Sequence, residues 1–417
     1  QDAGDRQSEP APRYNARDAA MMLARIHCAK ALLTTATPSV ESYHNASTGK
    51  YALVTLTERY NGLGNPKVTV IDRRTIASRE KRENGYNADT RYLSTYLLRR
   101  LQETIASGEQ AILFQNRRGY SSRMECLECG YTPLCPDCNV TLTYHKGKDR
   151  LECHYCGHAE KAVRRCPSCG SHNITTEGIG TENIEEKIAR FIPEARVVRL
   201  DADITRSKRE LGEVLRKISA HEADIIIGTQ MISKGFDFDN IGLVGVVNAD
   251  NLLCFPDFRA SEHTFQLLVQ IAGRMCRGGS RGELIIQSSH DIRRIVGDVI
   301  NFDYISMFDR EITERRRYMY PPFFRLIEIT LKHRDIARVE SAAHALAREC
   351  RRLFGSRAGD AAIPMIDRIR GDYLRSVTVK MEKGADLARA KAMLRRSLDE
   401  LSADELKGVR VVINADL

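Results

Sequence analysis

Two spacings of apolar residues alternate along this chain. Apolar positions recurring every three to four residues predict helices at 18–30, 94–107, 208–219 and 261–274, and short apolar runs rich in Val, Ile and Leu predict strands at 31–34, 111–114, 196–200, 224–228, 243–248 and 283–287. Gly108 stops the second helix just before a strand. Runs without polar alternation mark strands covered on both faces, so the pattern predicts a parallel α/β sheet. After Tyr320-Pro-Pro-Phe323 the pattern changes. Strand 325–332, helix 337–354, a weaker strand near 363–369, strand 376–381, helix 387–401 and strand 409–414 read as β-α-β-β-α-β, the order of a small ferredoxin-like α+β domain.

The segment interrupting the sheet has a different chemistry. Eight of the twelve cysteines form four Cys-x-x-Cys pairs within 44 residues: Cys126/Cys129, Cys135/Cys138, Cys153/Cys156 and Cys166/Cys169. A two-residue spacer lets a tight turn aim two thiolates at one tetrahedral centre, and Gly130, Gly157 and Gly170 follow three of the pairs. Four pairs make two four-cysteine sites, and two zinc ions stand in for the apolar core that so short and polar a segment lacks. Disulfides would require an oxidising compartment, a thioredoxin-like motif explains one pair and not four, and ferredoxin-type clusters space their ligands differently. Spacing leaves the partnering open between sequential and nested sharing. A site closed by four cysteines also has no open position for zinc-dependent catalysis. Cys28, Cys254, Cys276 and Cys350 lie in apolar segments and are expected to be small core residues.

Composition narrows the class. With 417 residues, 42% apolar and 29% charged, the chain reads as a soluble globular protein of two to four domains. No apolar run approaches the roughly 20 residues that span a bilayer, and the first residues lack the order of a signal peptide, so the expectation is a cytoplasmic protein without membrane contact. The net charge of +9 leans toward nucleic acid. The basic clusters Arg164-Arg165, Arg206 to Arg209, Arg315 to Arg317 and Arg368 to Arg375 each read singly as a solvated helix face.

Two segments carry candidate chemistry. In Gln270-Ile-Ala-Gly-Arg274-Met-Cys-Arg277, two arginines three apart at a helix end can face one anion, a planar guanidinium suits charge developing on a γ-phosphate, and Gln270 one turn earlier is placed to orient a water. In Ile227-Gly-Thr229-Gln230-Met-Ile-Ser-Lys-Gly235, the backbone after a buried strand is placed to meet DNA phosphates, which give position and salt-dependent affinity without sequence information.

Together these segments resemble the second motor lobe of superfamily 2 helicases. Thr35-Ala-Thr37-Pro-Ser39 looks like motif III, Ile112-Leu-Phe-Gln-Asn-Arg-Arg118 like motif IV, Ile227 to Gly235 like motif V, and Gln270 to Arg277 like motif VI. The four Cys-x-x-Cys pairs inside that lobe narrow the resemblance to the bacterial primosomal protein N-prime (PriA) family of replication-restart helicases. Pro12-Arg13-Tyr14-Asn-Ala-Arg-Asp18, Asp257-Phe-Arg-Ala-Ser-Glu262 and Tyr320-Pro-Pro-Phe323 are similar to that family too.

The resemblance implies a fold of RecA-like helicase lobes of P-loop NTPase type, with the two-zinc segment inserted and the α+β domain following. The implied segments are 1–57 (remainder of lobe one), 58–124 (start of lobe two), 125–172 (zinc-binding insertion), 173–310 (rest of lobe two) and 311–417 (C-terminal α+β domain). It implies an ATP-dependent 3′ to 5′ DNA helicase that recognises stalled or collapsed forks and starts primosome assembly. Its cofactors would be two zinc ions and ATP with magnesium. Its partners would be forked and single-stranded DNA, single-stranded-DNA-binding protein and other primosome proteins. Arg274 and Arg277 would contact ATP phosphates beside Gly235 and Gln270; Thr37 would couple ATP state to DNA grip with Thr229 and Gln230; Arg13 and Tyr14 would end a DNA-sensing loop. The family nests its metal ligands, which implies Cys126, Cys129, Cys166 and Cys169 on one zinc and Cys135, Cys138, Cys153 and Cys156 on the other.

The sequence departs from the family in places. Met275-Cys276 replaces the usual small pair, and Asp239 stands where proline is common. The chain holds no Gly-x-x-x-x-Gly-Lys-Ser/Thr; Ser47-Thr-Gly-Lys-Tyr51 lacks its first glycine and final hydroxyl, and there is no acidic tetrad for magnesium. The expectation is a fragment lacking the N-terminal DNA-binding region and most of the first lobe. The alternative is a zinc-ribbon DNA-binding scaffold with an inactive motor remnant. The 417-residue chain by itself is expected to release no phosphate from ATP when DNA is added, which a phosphate-release assay on the pure chain checks.

Overall fold

The computed structural model describes residues 6–7, 14–56, 65–72, 93–115, 123–126, 128–138, 140–145, 149–153, 156–176, 181–200, 208–229, 240–275, 282–288, 293–384, 386–402 and 405–415. They form two compact units, one of residues 1–54, 134–161 and 308–417, the other of residues 55–133 and 162–307.

The second unit is built on a six-stranded sheet. In spatial order its strands are Val197–Leu200, Ile225–Gly228, Gln110–Phe114, Ile241–Val246, Glu283–Ser288 and Lys67–Asp72, every neighbouring pair parallel. Alternate residues feed two cores. Ile112, Phe114, Val244, Val246, Leu284 and Ile286 pack under the helix Ala260–Arg274 on one face, while Leu113, Ile225, Ile227, Leu243 and Ile285 meet Leu97, Leu101, Ile184 and Ile188 on the other. Both faces are dry, which explains the unbroken apolar runs. A Cβ at Gly245 would sit 2.8 Å from Leu97, so this strand position needs glycine for the helix Thr95–Ala106 to come so near. Ser94 caps that helix by accepting from the Leu97 N–H, and the buried Gln287 accepts from the Ser94 N–H while donating to the Val247 carbonyl, which ties helix start to sheet.

The sequence reading omitted the strand Lys67–Asp72 and the helices Val40–Ser47, Thr181–Phe191, Arg293–Asn301 and Tyr304–Arg317. The strand is a sheet edge whose apolar residues alternate with Lys67, Thr69 and Asp72. The expected strand 31–34 is absent. Leu32 is 86% exposed, and no described strand offers it a ladder.

In the first unit the last hundred residues run as strand Phe324–His333, helix Ile336–Phe354, strand Arg368–Ile369, strand Asp372–Glu382, helix Leu387–Ser402 and strand Arg410–Ala415. Their sheet is antiparallel, in the order Arg368–Ile369, Asp372–Glu382, Phe324–His333, Arg410–Ala415. Pro364, without an N–H to donate, confines the second strand to two residues where seven were expected. Ala342, Ala343 and Ala347 let the first helix lie close against Ile329, Leu331, Val377 and Val379.

In two of the basic clusters Arg316, Arg317, Arg368 and Arg370 are exposed as expected, and one arginine of each is corrected. Arg315 is 1% exposed and is held by Glu41 at 3.2 Å and Glu311 at 3.7 Å; Arg375, 4% exposed, pairs with Glu340. Neither belongs to a solvated face, because each buried guanidinium meets carboxylates from its own or another segment. Cys28 is corrected as well: it is exposed in a turn after the helix Ala16–Ile26, which buries none of its own residues. Cys254 and Cys350 are buried as expected, and Cys276 lies outside the described residues.

At the sheet edge, Glu283 (3% exposed) accepts from Thr69, Tyr96, Lys67 and Arg100. Burial pushes its carboxyl up, but these partners together hold it below the ordinary carboxylate value. The depressed folded-state value means that the stabilisation is complete above about pH 4.5 and is lost as pH falls through the lower folded value. Glu283→Gln is expected to lower stability near pH 7 by about 2 kcal/mol, with a smaller difference from the wild type below pH 4, read by urea unfolding at the two pH values.

Candidate metal centres and motor segments

The cysteine-rich segment departs from the sheet after Gln110–Phe114 and returns before the helix Thr181–Phe191. It repeats one backbone turn four times. The N–H of the first cysteine in each pair donates to the carbonyl five residues on: Cys126 to Tyr131, Cys135 to Val140, Cys153 to His158 and Cys166 to Ser171, all within 2.9 Å. The glycine after the second cysteine adopts the left-handed conformation at Gly130, Gly157 and Gly170, with φ from 74° to 78°. In all three its N–H returns to the carbonyl of the first cysteine. A side chain would resist that backbone shape, so Cys-x-x-Cys-Gly is the local code for two sulfurs pointing the same way.

The structure gathers the pairs in nested fashion. The sulfurs of Cys126, Cys129, Cys166 and Cys169 lie within 4.8 Å of one another, and so do those of Cys135, Cys138, Cys153 and Cys156. Nearest sulfurs are 3.6 Å apart for Cys126 and Cys169, and 3.5 Å for Cys129 and Cys166 and for Cys135 and Cys156. A zinc ion with Zn–S bonds of about 2.3 Å sets tetrahedral S···S edges of about 3.8 Å, whereas a disulfide requires about 2.0 Å. Both groups therefore fit a tetrahedral zinc ion.

The thiols are unequal. Burial lifts Cys126 to about 12, whereas Cys166, against the pull of its own burial, is drawn down to about 7 by the backbone N–H groups of Cys169 and Ser168. In the inner group hydrogen bonds among the thiols push Cys138 and Cys153 up and Cys156 down. Such a cluster shares its protons, and a dication takes their place. Four thiolates around Zn²⁺ leave two negative charges, and Lys380, 8% exposed, stands near the inner group; burial lowers its pKa while the four inner cysteines raise it.

The expected motor residues fall as follows. Thr229 directly follows the strand Ile225–Gly228 at the C-terminal edge of the sheet, where α/β folds place their ligands. Gln270 is half-buried in the helix Ala260–Arg274, which Arg274 ends. Thr37 is buried, its N–H bonded to Thr35, two residues before Ser39 caps the helix Val40–Ser47. Tyr14 is 48% exposed in a two-residue strand. Arg13, Gln230, Gly235, Arg277 and the side chain of Arg274 lie outside the described residues. The look-alike Ser47-Thr-Gly-Lys-Tyr51 closes a helix at Gly49, where a phosphate-binding loop would open one.

Residues 135–161 match the model of the PriA DNA helicase Cys-rich region domain, and residues 173–279 match the helicase conserved C-terminal domain. The replication restart protein PriA of Bacillus subtilis is 38% identical over 412 residues, 98% of this chain and 50% of that protein. Its namesake from Chlamydia pneumoniae is 39% identical over 78% of this chain and 43% of its own length, and that from Rickettsia conorii 34% identical over 90% and 57%. The chain belongs to the PriA family. It spans about half the length of the curated relatives it matches. Among solved structures, S. cerevisiae Dbp5 bound to RNA and ADP BeF3 is similar at 10% identity and a TM-score of 0.37, over 74% of this chain and 60% of that one. The helicase-domain match and the parallel sheet together make the second unit a RecA-like lobe in the PriA family, with the zinc-ribbon match inside the inserted segment.

The sequence reading passed over Arg123 and Asp250. Asp250 carried a legible signal, an acid two residues after Asn248 at the end of a buried strand; Arg123-Met-Glu125 read as ordinary surface. Protein purified without added zinc is expected to carry two zinc ions per chain by elemental mass spectrometry, and a chelator strong enough to remove them should abolish protection of the four turn-forming cysteine N–H groups.

Proposed function

We propose that the chain is the C-terminal part of an ATP-dependent DNA helicase that moves 3′ to 5′, recognises stalled or collapsed forks and begins primosome assembly. The observation that carries this reading is the helicase-domain match over a sheet into which four Cys-x-x-Cys turns are inserted as two four-cysteine groups. Arg274 and Arg277 would neutralise charge on the ATP phosphates, beside Gly235, with Gln270 orienting water. Magnesium would accompany ATP. The two zinc ions would be structural, each closed by four thiolates and offering no position for substrate. Thr229 and Gln230 would meet DNA phosphates, Thr37 would couple nucleotide state to grip, and Arg13 with Tyr14 would sense DNA.

The proposed segments follow the sequence divisions 1–57, 58–124, 125–172, 173–310 and 311–417, from lobe remnant to C-terminal domain. The proposed partners are forked and single-stranded DNA, single-stranded-DNA-binding protein and other primosome proteins, in the cytoplasm. No described helix is long and apolar enough to cross a membrane. In the full-length protein Arg277→Ala is expected to reduce DNA-stimulated ATPase by about a thousandfold, with binding to forked DNA within about twofold of the wild type. Unchanged turnover would favour the scaffold with an inactive motor remnant.

A further inference from the structure

The two four-cysteine groups are anchored to different parts of the chain. Arg123, three residues before Cys126, keeps a side chain only 13% exposed. One of its guanidinium nitrogens donates to the Asp250 carbonyl at 3.2 Å and another to Glu125 at 2.6 Å. Thr132, beyond the same turn and 5% exposed, accepts from the Cys254 thiol at 3.9 Å. Asp250 and Cys254 are themselves joined, since the Cys254 N–H donates to the Asp250 carbonyl at 2.8 Å. Residues on both sides of the Cys126/Cys129 turn thus grip the C-terminal end of the one-turn helix Asp250–Leu253, where the Asp250 carbonyl meets Cys254. That helix follows the central strand Ile241–Val246, is fixed by a hydrogen bond between the fully buried Asp250 and Ser288 of the next strand, and leads into the helix carrying Gln270 and Arg274.

The inner group is held elsewhere. The Tyr320 hydroxyl donates to the Cys138 carbonyl at 3.0 Å, and the Asp360 N–H donates to the Cys156 carbonyl at 2.9 Å. A Cβ on Gly157 would lie 2.9 Å from Asp360 Cβ. Lys380, on the strand Asp372–Glu382, donates to the Tyr318 carbonyl at 2.8 Å with its ammonium 4.2 Å from the centre of the Tyr320 ring.

We propose that the two metal centres have separate duties: the outer centre sets the Asp250–Leu253 turn of the motor lobe through Arg123 and Thr132, and the inner centre holds the C-terminal sheet through Tyr320 and Asp360. Arg123 and Thr132 are positioning residues for the turn that leads into the helix Ala260–Arg274. This inference rests on reading both cysteine groups as zinc centres. A four-thiolate centre freezes the short turn around Cys126, so the arginine before it and the threonine after it reach their partners without further ordering cost.

The test is hydrogen exchange by mass spectrometry on the 417-residue chain, with zinc counted by native mass spectrometry on the same samples. Arg123→Met should speed amide exchange across 250–260 by about tenfold, leave 372–382 unchanged and keep two zinc ions. Arg123→Lys should restore most of that protection, because an ammonium still reaches the Asp250 carbonyl, which a general loss of packing would not allow. Thr132→Val reads the same turn from its other end if Arg123→Met folds poorly. Tyr320→Phe should loosen 135–142 and 372–382 and leave 250–260 as in the wild type. Fewer than two zinc ions in the wild type overturns the metal reading and this proposal with it. Two zinc ions with unaltered exchange at 250–260 in both Arg123→Met and Thr132→Val overturns this proposal alone, as does loosening of the same peptides by Arg123→Met and Tyr320→Phe.

Discussion

Parallel pairing constrains everything in the second unit. A parallel strand cannot be followed by a tight hairpin, so each strand must end at one edge of the sheet and the chain must travel back before the next begins. All the ladders of the six-stranded sheet are parallel, and every strand therefore ends on the same edge. Phe114, Gly228, Val246 and Ser288 lie there together, followed by Gln115, Thr229 and Asn248. The cysteine-rich insertion begins in the return path after Phe114. Asp250 follows the neighbouring strand Ile241–Val246 on that same edge, and Arg123 donates to its carbonyl.

An insertion of this kind cannot stabilise itself by burial. Its strands are two or three residues long and its segments are polar, too little apolar area to offset the entropy of ordering them. Backbone hydrogen bonds within four similar turns, and two four-cysteine groups that each fit a zinc ion, stand in for the missing core. The nested pairing has a topological consequence. The outer cysteine group lies at the neck of the insertion, where Glu125–Cys126 pairs with Ile174–Thr175, and the inner group lies in the stretch where Thr143–His145, Arg150–Glu152 and Ala159–Lys161 form a small sheet. A sequential arrangement would leave the neck unfastened.

Much of this was legible in the sequence, for reasons that differ by element. The strands Gln110–Phe114, Ile225–Gly228 and Glu283–Ser288 could be read because burial on both faces demands unbroken apolar runs. The apolar run places a strand at 243–248, two residues later than the ladder, which spans Ile241–Val246. The edge strand Lys67–Asp72 and the helices Thr181–Phe191 and Arg293–Asn301 escaped because each buries one side only, and a single side of a short element gives few apolar positions. For the metal ligands, spacing identified all eight cysteines but not their partners, since the partnering depends on where the turns lie in space and not on the turns themselves. Arg315 and Arg375 were misread for a related reason: the composition of a basic run is local, whereas the carboxylates that bury it, Glu41 and Glu340, are 274 and 35 residues away.

Those buried charges share a logic. Arg315 joins the helix Val40–Ser47 to the helix Tyr304–Arg317, Glu283 joins an edge strand to its neighbour and to the helix Thr95–Ala106, and Arg123 joins the metal turn to the end of a central strand. Arg315 and Glu283 are compensated by charges distant in sequence, whereas Arg123 has its counter-charge in Glu125 two residues on and meets the distant Asp250 through a backbone carbonyl. Desolvation consumes most of the Coulombic gain of such pairs, so their net contribution to stability is small, but a misaligned pair leaves a bare charge in a low-dielectric interior at a cost of about 3 to 5 kcal/mol. Apolar contacts tolerate small slips of one element against another; these pairs do not. Within its own unit, the Arg315 joint fixes the helix that follows Thr37, and the Arg123 joint fixes the chain that enters the outer cysteine group. Unforgiving polar joints of this kind supply a stiffness that apolar packing alone, which lets one element slide on another, does not.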